Sequence, residues 1–262
     1  MTHLAAALAA AAYLASAFLH WREAARKWAR ALVALALLLQ AMALFGEIFK
    51  GGQLTLGITE SLSMFSWQAA VLLWALCLIQ PVQILGVVIY PLAAFACLAA
   101  ALWPTSVMGI PLTDWKIQLH VVLSLLSAGF LTLAAAQAAT LAMQDRLLHQ
   151  AAPNRIVQAL PPIQSMEHLL FVLISLGFFI LSLSLLSGLL FVDNLMAQHL
   201  AHKTVLSLTA WAIFGGLLWG RWQRGWRGRT AIRWTLSGYG VLILAYFGSK
   251  IVLEQILSKH WT

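Results

Sequence analysis

HLLFVLISLGFFILSLSLLSGLLFV, residues 168–192, is the stretch that decides the fold. It carries no Asp, Glu, Lys or Arg. At 1.5 Å rise per residue, about 20 residues cross the hydrocarbon of a bilayer. A helix of a soluble bundle keeps one polar face for water, and this run has none. Reading outward, the same texture recurs at about 3–21, 29–49, 61–79, 83–102, 117–143, 203–222 and 232–257. Of the 262 residues, 62% are hydrophobic and 9% charged, against about 25% charged in soluble domains. Too few charges remain to clothe a water-facing surface. The expectation is an all-α fold: a polytopic transmembrane helical bundle of about eight spans, one integral membrane domain over 1–262, with no second domain and no internal repeat.

The first run needs separate treatment. Residues 4–19 are apolar, and Ala15-Ser16-Ala17 resembles a signal-peptidase site. A secretory signal opens with a positive segment, and Met1-Thr2-His3 supplies none. The basic residues follow instead, at Arg22, Arg26, Lys27 and Arg30. A retained first helix is expected. Gln80-Pro81-Val82-Gln83 reads as a tight hairpin with proline as breaker, and Pro91 is expected to kink the fourth span.

Basic residues set the orientation. Connections one, three, five and seven hold eleven Lys and Arg: Arg22, Arg26, Lys27 and Arg30, then Arg146 and Arg155, then Arg221, Arg224, Arg227, Arg229 and Arg233. The opposite side holds five: Lys50, Lys116, Lys203, Lys250 and Lys259. The richer side is expected to be cytoplasmic, with both termini on the outer, periplasmic side of a bacterial inner membrane. The net charge of +8 therefore reads as an orientation signal and not as a nucleic-acid surface. Cys77 and Cys97 lie in apolar segments and form neither a disulfide framework nor a metal motif. Gly215-Gly216, Gly240 with Gly248, and Ser184 with Gly188 have the small-residue spacing that lets helices approach closely in lipid, and packing is all that is assigned to them.

Ionisable residues in spans are the default functional candidates. The acidic residues sit near span ends, Glu47 being the deepest, and no carboxylate pair stands at mid-membrane. No nucleophile motif, phosphate loop or zinc-spaced cluster is present, so a non-enzymatic role is expected. Five histidines fall on the outer side: His3, His120, His199, His202 and His260. His120 opens the fifth span, with Ser124 and Ser127 on its face at i+4 and i+7. Such a polar stripe on an apolar helix suits a cavity better than lipid. His202, with Lys203 adjacent, enters the seventh span. A neutral imidazole can ligate haem iron axially, and two helices each presenting a His from one side of the membrane would make a bis-His site. Solvation or hydrogen bonding of interfacial histidines is the alternative. The seventh connection, Leu218-Trp219-Gly220-Arg221-Trp222-Gln223-Arg224-Gly225-Trp226-Arg227-Gly228-Arg229, alternates aromatic and basic residues. It reads as an interfacial tryptophan belt with arginines near anionic lipid, or as a contact for carboxylates such as haem propionates, through Arg227.

His120 with Val121-Val122-Leu123-Ser124, the Gly225-Trp226-Arg227-Gly228 turn, and Ala245-Tyr246-Phe247-Gly248-Ser249 together resemble the cytochrome c assembly superfamily of CcsA-, CcmC- and HemX-like proteins. The resemblance runs over essentially the whole chain. It implies haem handling at the outer membrane face in support of cytochrome c maturation. It also implies an outer-side His at His120 and a second near His260 as iron ligands. The candidate site is thus His120, His202 and His260 as metal ligands, with Ser124, Ser127, Lys203 and Arg227 also at the cofactor. Partners are expected to be the lipid bilayer, haem and another membrane protein. Where haem-handling members carry a tryptophan-rich outer loop, Phe191 to Lys203 holds no tryptophan. That motivates an alternative, a scaffold or regulatory subunit keeping the fold without haem. A small-solute or ion transporter is the third reading.

Overall fold

The computed structural model describes residues 2–21, 26–50, 53–54, 58–79, 83–103, 110–111, 115–149 and 161–248 except 192–200. Within them are eight α-helices: α1 Thr2–Trp21, α2 Arg26–Ile48, α3 Ile58–Ile79, α4 Gly86–Leu102, α5 Trp115–His149, α6 Ile163–Phe191, α7 Ala201–Arg224 and α8 Arg229–Ile243. A 3-10 turn, Gln83–Leu85, leads into α4, and a π turn, Leu244–Gly248, follows α8. The helices coincide with the eight apolar runs. Six of the stretches are long and apolar enough to cross a membrane: His3–His20, Lys27–Phe45, Ile58–Ile79, Gln83–Leu102, Gln118–His149 and Ile163–Phe191. The last two helices fall short of that standard among the described residues. Arg221 and Arg224 end α7, and α8 opens on Arg229 and Arg233. Residues 249–257 of the eighth expected span lie outside the described residues.

The helices form two compact units, α1–α4 and α5–α8. In the first, α1 packs on α2 and α4, and α3 packs on both of those. Alanines make the approach close: Ala6, Ala9, Ala10, Ala12 and Ala17 of α1 are buried, while Leu4, Leu8, Leu14 and Phe18 are exposed. This is the inverse of a soluble bundle. The large apolar side chains face outward, where lipid accepts them, and small ones line the helix contacts. Polar groups are held inside. Tyr13 Oη donates to Gln40 Oε1 at 2.8 Å, and Gln40 Nε2 donates to Ser63 Oγ at 3.0 Å. One element had no counterpart in the sequence reading: a three-stranded antiparallel sheet of Phe49–Lys50, Gln53–Leu54 and Ile110–Pro111. It ties the α2–α3 connection to the one after α4. Two-residue strands are too short to show a period.

The second unit is bound by small-to-large contacts. A Cβ at Gly177 of α6 would stand 2.8 Å from Leu131 of α5. Phe178 of α6 stacks on Trp211 of α7 at 5.6 Å, and Trp211 Nε1 donates to Ser182 Oγ at 2.8 Å. Gly216 of α7 faces Trp234 of α8. The Thr132 and Tyr239 hydroxyls join α5 to α8 at 2.9 Å. Gly215 and Gly216 thus pack as expected, but Gly240 does not, since a Cβ there meets nothing within 4 Å. The spacing of Gly240 placed it on a face without revealing that the face is bare. Gly240→Ala is therefore expected to leave stability unchanged or raise it by up to about 1 kcal/mol, the helix-propensity gain. Thermal unfolding in detergent checks it.

Candidate functional site

His120 stands one turn into α5 and is half-buried against α6. Its Nδ1 lies 3.0 Å from the Ser184 carbonyl oxygen and 3.0 Å from Ser187 Oγ. A carbonyl oxygen can only accept, so Nδ1 carries the proton. The Ser187 hydroxyl donates to the Ser184 carbonyl at 2.7 Å, leaving its oxygen to accept from Nδ1–H. Ser124 Oγ donates to the His120 carbonyl at 2.7 Å and lies 2.7 Å from Ser184 Oγ, which therefore donates to it. One turn further, Ser127 Oγ donates to the Gly177 carbonyl at 3.0 Å. The stripe on α5 thus faces α6 and is hydrogen-bonded to it.

This network fixes both the tautomer and the ring. With the proton on Nδ1, the lone pair is on Nε2, which has no hydrogen-bond partner among the described residues. Gly188 lies against the imidazole. A Cβ there would be 3.1 Å from Cε1, 3.4 Å from Nδ1 and 3.9 Å from Nε2. Any longer side chain would crowd the ring and cover the lone pair. A histidine held by a carbonyl through one nitrogen and presenting the other is the usual arrangement of an axial or metal-ligating imidazole. Close by, Lys116 Nζ sits 5.8 Å above the Phe191 ring.

The other expected site residues are distributed differently. His202 and Lys203 open α7, and the side chain of His202 lies outside the described residues, as does His260 altogether. Arg227 is exposed in the α7–α8 turn. Two residues on, Arg229 Nε donates to Asp145 Oδ2 at 2.9 Å. Asp145 is about 25 residues beyond His120 on one continuous helix, roughly 37 Å along its axis. His120 and Arg227 therefore do not share a site, and the propionate contact expected of Arg227 cannot belong to a haem on His120. Among the described residues, no group of three or more His, Cys, Asp and Glu side chains comes together. Ser184 and Ser187 join the site although the sequence pattern does not single them out as site residues. The signal available for them is that Ser184, Ser187 and Gly188 form a small polar stripe at i, i+3 and i+4 that complements the one on α5.

A family model described as cytochrome C assembly protein matches residues 55–257. The chain belongs to the cytochrome c assembly protein family. It is 38% identical over 141 residues to the inner membrane protein YpjD of Escherichia coli K12, covering 53% of this chain and 52% of that one. An uncharacterized 28.8 kDa protein of Azospirillum brasilense is 32% identical over 166 residues, 63% of this chain and 61% of its own. A cytochrome c biogenesis protein CcsA of Gloeothece citriformis is 24% identical over 112 residues, 42% and 34% of the two chains. The chain thus spans about half the length of the YpjD proteins it matches. No solved structure matches. The resemblance read from His120, the Gly225–Gly228 turn and the last helix is borne out, and this member of the family is a multi-pass helical membrane protein.

Proposed function

We propose that this cytochrome c assembly family member handles haem at the outer face of a bacterial inner membrane, with His120 Nε2 as an iron ligand. Supporting the reading is one observation above all: Nδ1–H is committed to the Ser184 carbonyl, so the free lone pair is on Nε2, with Gly188 adding no side chain against the ring. When bound, haem would supply the redox and ligand chemistry. The chain's own residues hold, orient and shield it. His202 and His260 are further candidate iron ligands by residue type, and Lys203 a candidate cation for the cofactor. The proposed topology has eight spans forming a single membrane domain, both termini outside and the Arg-rich turns inside. No catalytic side chain is assigned.

Absorption of protein purified gently from haem-replete cells tests the reading. A Soret band is expected, close to one haem per chain by the pyridine haemochrome method. Colourless protein that also fails to take up added haemin would overturn it. One observation favours a second reading, a scaffold or partner subunit that keeps the fold without haem: the His120, Ser124, Ser184 and Ser187 hydrogen bonds close on themselves, so they can serve helix packing alone. In that case His120→Ala would lower the melting temperature of a protein that never shows a Soret band.

A further inference from the structure

The α7–α8 turn is built more firmly than an interfacial loop requires, and its basic side chains are left over once it is built. Gly225 and Gly228 take positive φ, 65° and 57°, a conformation glycine adopts without steric cost. Trp226 packs against Gly220 and lies 5.1 Å from Trp234. The Trp226 carbonyl accepts from Arg221 Nη1 at 3.2 Å, and the Arg221 guanidinium lies 4.5 Å above the Phe171 ring of α6. Glu167 Oε1 accepts the Gly228 N–H at 2.7 Å. Asp145 accepts from Arg229 and lies 3.6 Å from His149. Both nearby carboxylates are thereby engaged within the unit.

What remains is one end of a hairpin with Arg224, Arg227 and Arg233 exposed and, among the described residues, without hydrogen-bond or ion-pair partners. Beside them, Trp219 is 64% and Trp222 80% exposed. Only Trp226 of the three tryptophans here serves the core. Exposed indoles favour the headgroup level of a bilayer. Guanidinium forks favour phosphate. A fixed turn presenting three of them beside two exposed indoles has the charge and the amphipathic character for one class of occupant.

We infer that this end of the α7–α8 hairpin binds the headgroups of anionic phospholipid, with Arg224, Arg227 and Arg233 on the phosphates and Trp219 and Trp222 at the acyl boundary. The inference is independent of the haem reading, because neither His120 nor haem enters it. The test uses the full chain, haem-free, delipidated in mild detergent and titrated with phosphatidylglycerol or phosphatidylcholine under native mass spectrometry. The expected result is a preference for phosphatidylglycerol of at least about tenfold. It should collapse in the triple variant R224Q/R227Q/R233Q and survive in the triple lysine variant, which keeps the charge and reports on folding. Equal binding of the two lipids would overturn the inference. So would a preference retained by the glutamine variant, displacement of the lipid by an equal concentration of inorganic phosphate, or equally tight binding of soluble polyglutamate.

Discussion

His120→Ala is expected to remove the Soret band, lowering haem content at least tenfold while the helices stay folded. The fold survives because the substitution deletes the hydrogen bonds of a single N–H, Nδ1–H shared between the Ser184 carbonyl and Ser187 Oγ. That carbonyl keeps the Ser187 hydroxyl as donor. A polar contact of this kind between membrane helices contributes about 0.6 kcal/mol on average, too little to unfold the unit. Removing the proposed iron ligand itself is expected to have a far larger effect, since even partners that only orient a ligand change affinity by about 10–100-fold. Ser187→Ala, which leaves the Ser184 carbonyl in place, should therefore weaken haem retention without abolishing it. Gly188→Leu should mimic His120→Ala although the ligand is still present. Its Cβ would lie 3.1 Å from His120 Cε1, and the remaining side chain would extend over Nε2. Absorbance and melting temperature measured on the same samples separate loss of ligand from loss of fold.

Gly220→Ala carries the largest expected effect on stability. Alanine is the better helix former by about 1 kcal/mol, and Gly220 lies within α7. The added methyl would overlap the Trp226 indole, however, and that ring is boxed in by Trp234 and by the bond from Arg221 to its own carbonyl. The indole must leave its seat and release the turn. Overpacking of a fixed ring costs about 3 kcal/mol at the upper end of its usual range, so a net loss of about 2 kcal/mol is expected. Thermal unfolding in detergent, beside Gly240→Ala, checks the sign. The two glycines look alike in the sequence, but one is roofed by an aromatic ring and the other faces open space.

That contrast marks how far the sequence could be read. Apolar run length placed all eight helices, because a long apolar run is a property of local composition alone. The face shared by His120, Ser124 and Ser127 was legible for the same reason, being set by the helical period. What that face meets was not legible. The pairing of His120 with Ser184 and Ser187 depends on the register of α5 against α6, residues more than 60 positions apart. Spacing alone could not tell Ser184 as a packing residue from Ser184 as the group that fixes the His120 tautomer. The separation of Arg227 from His120 was hidden for a related reason. Charge pattern and exposure follow from local sequence, whereas distance from His120 follows from the Arg229–Asp145 contact at the far end of α5. The small sheet joining Phe49–Lys50, Gln53–Leu54 and Ile110–Pro111 escaped because each strand is two residues long.

Chemical rescue bears most directly on the assignment of Nε2 as the iron ligand. His120→Gly, loaded with haemin in detergent, should show no His-ligated Soret band. Adding millimolar imidazole should restore it, the free base taking the space the side chain vacated. A variant that keeps the wild-type spectrum without imidazole would contradict the assignment and return His120 to a role in packing α5 against α6.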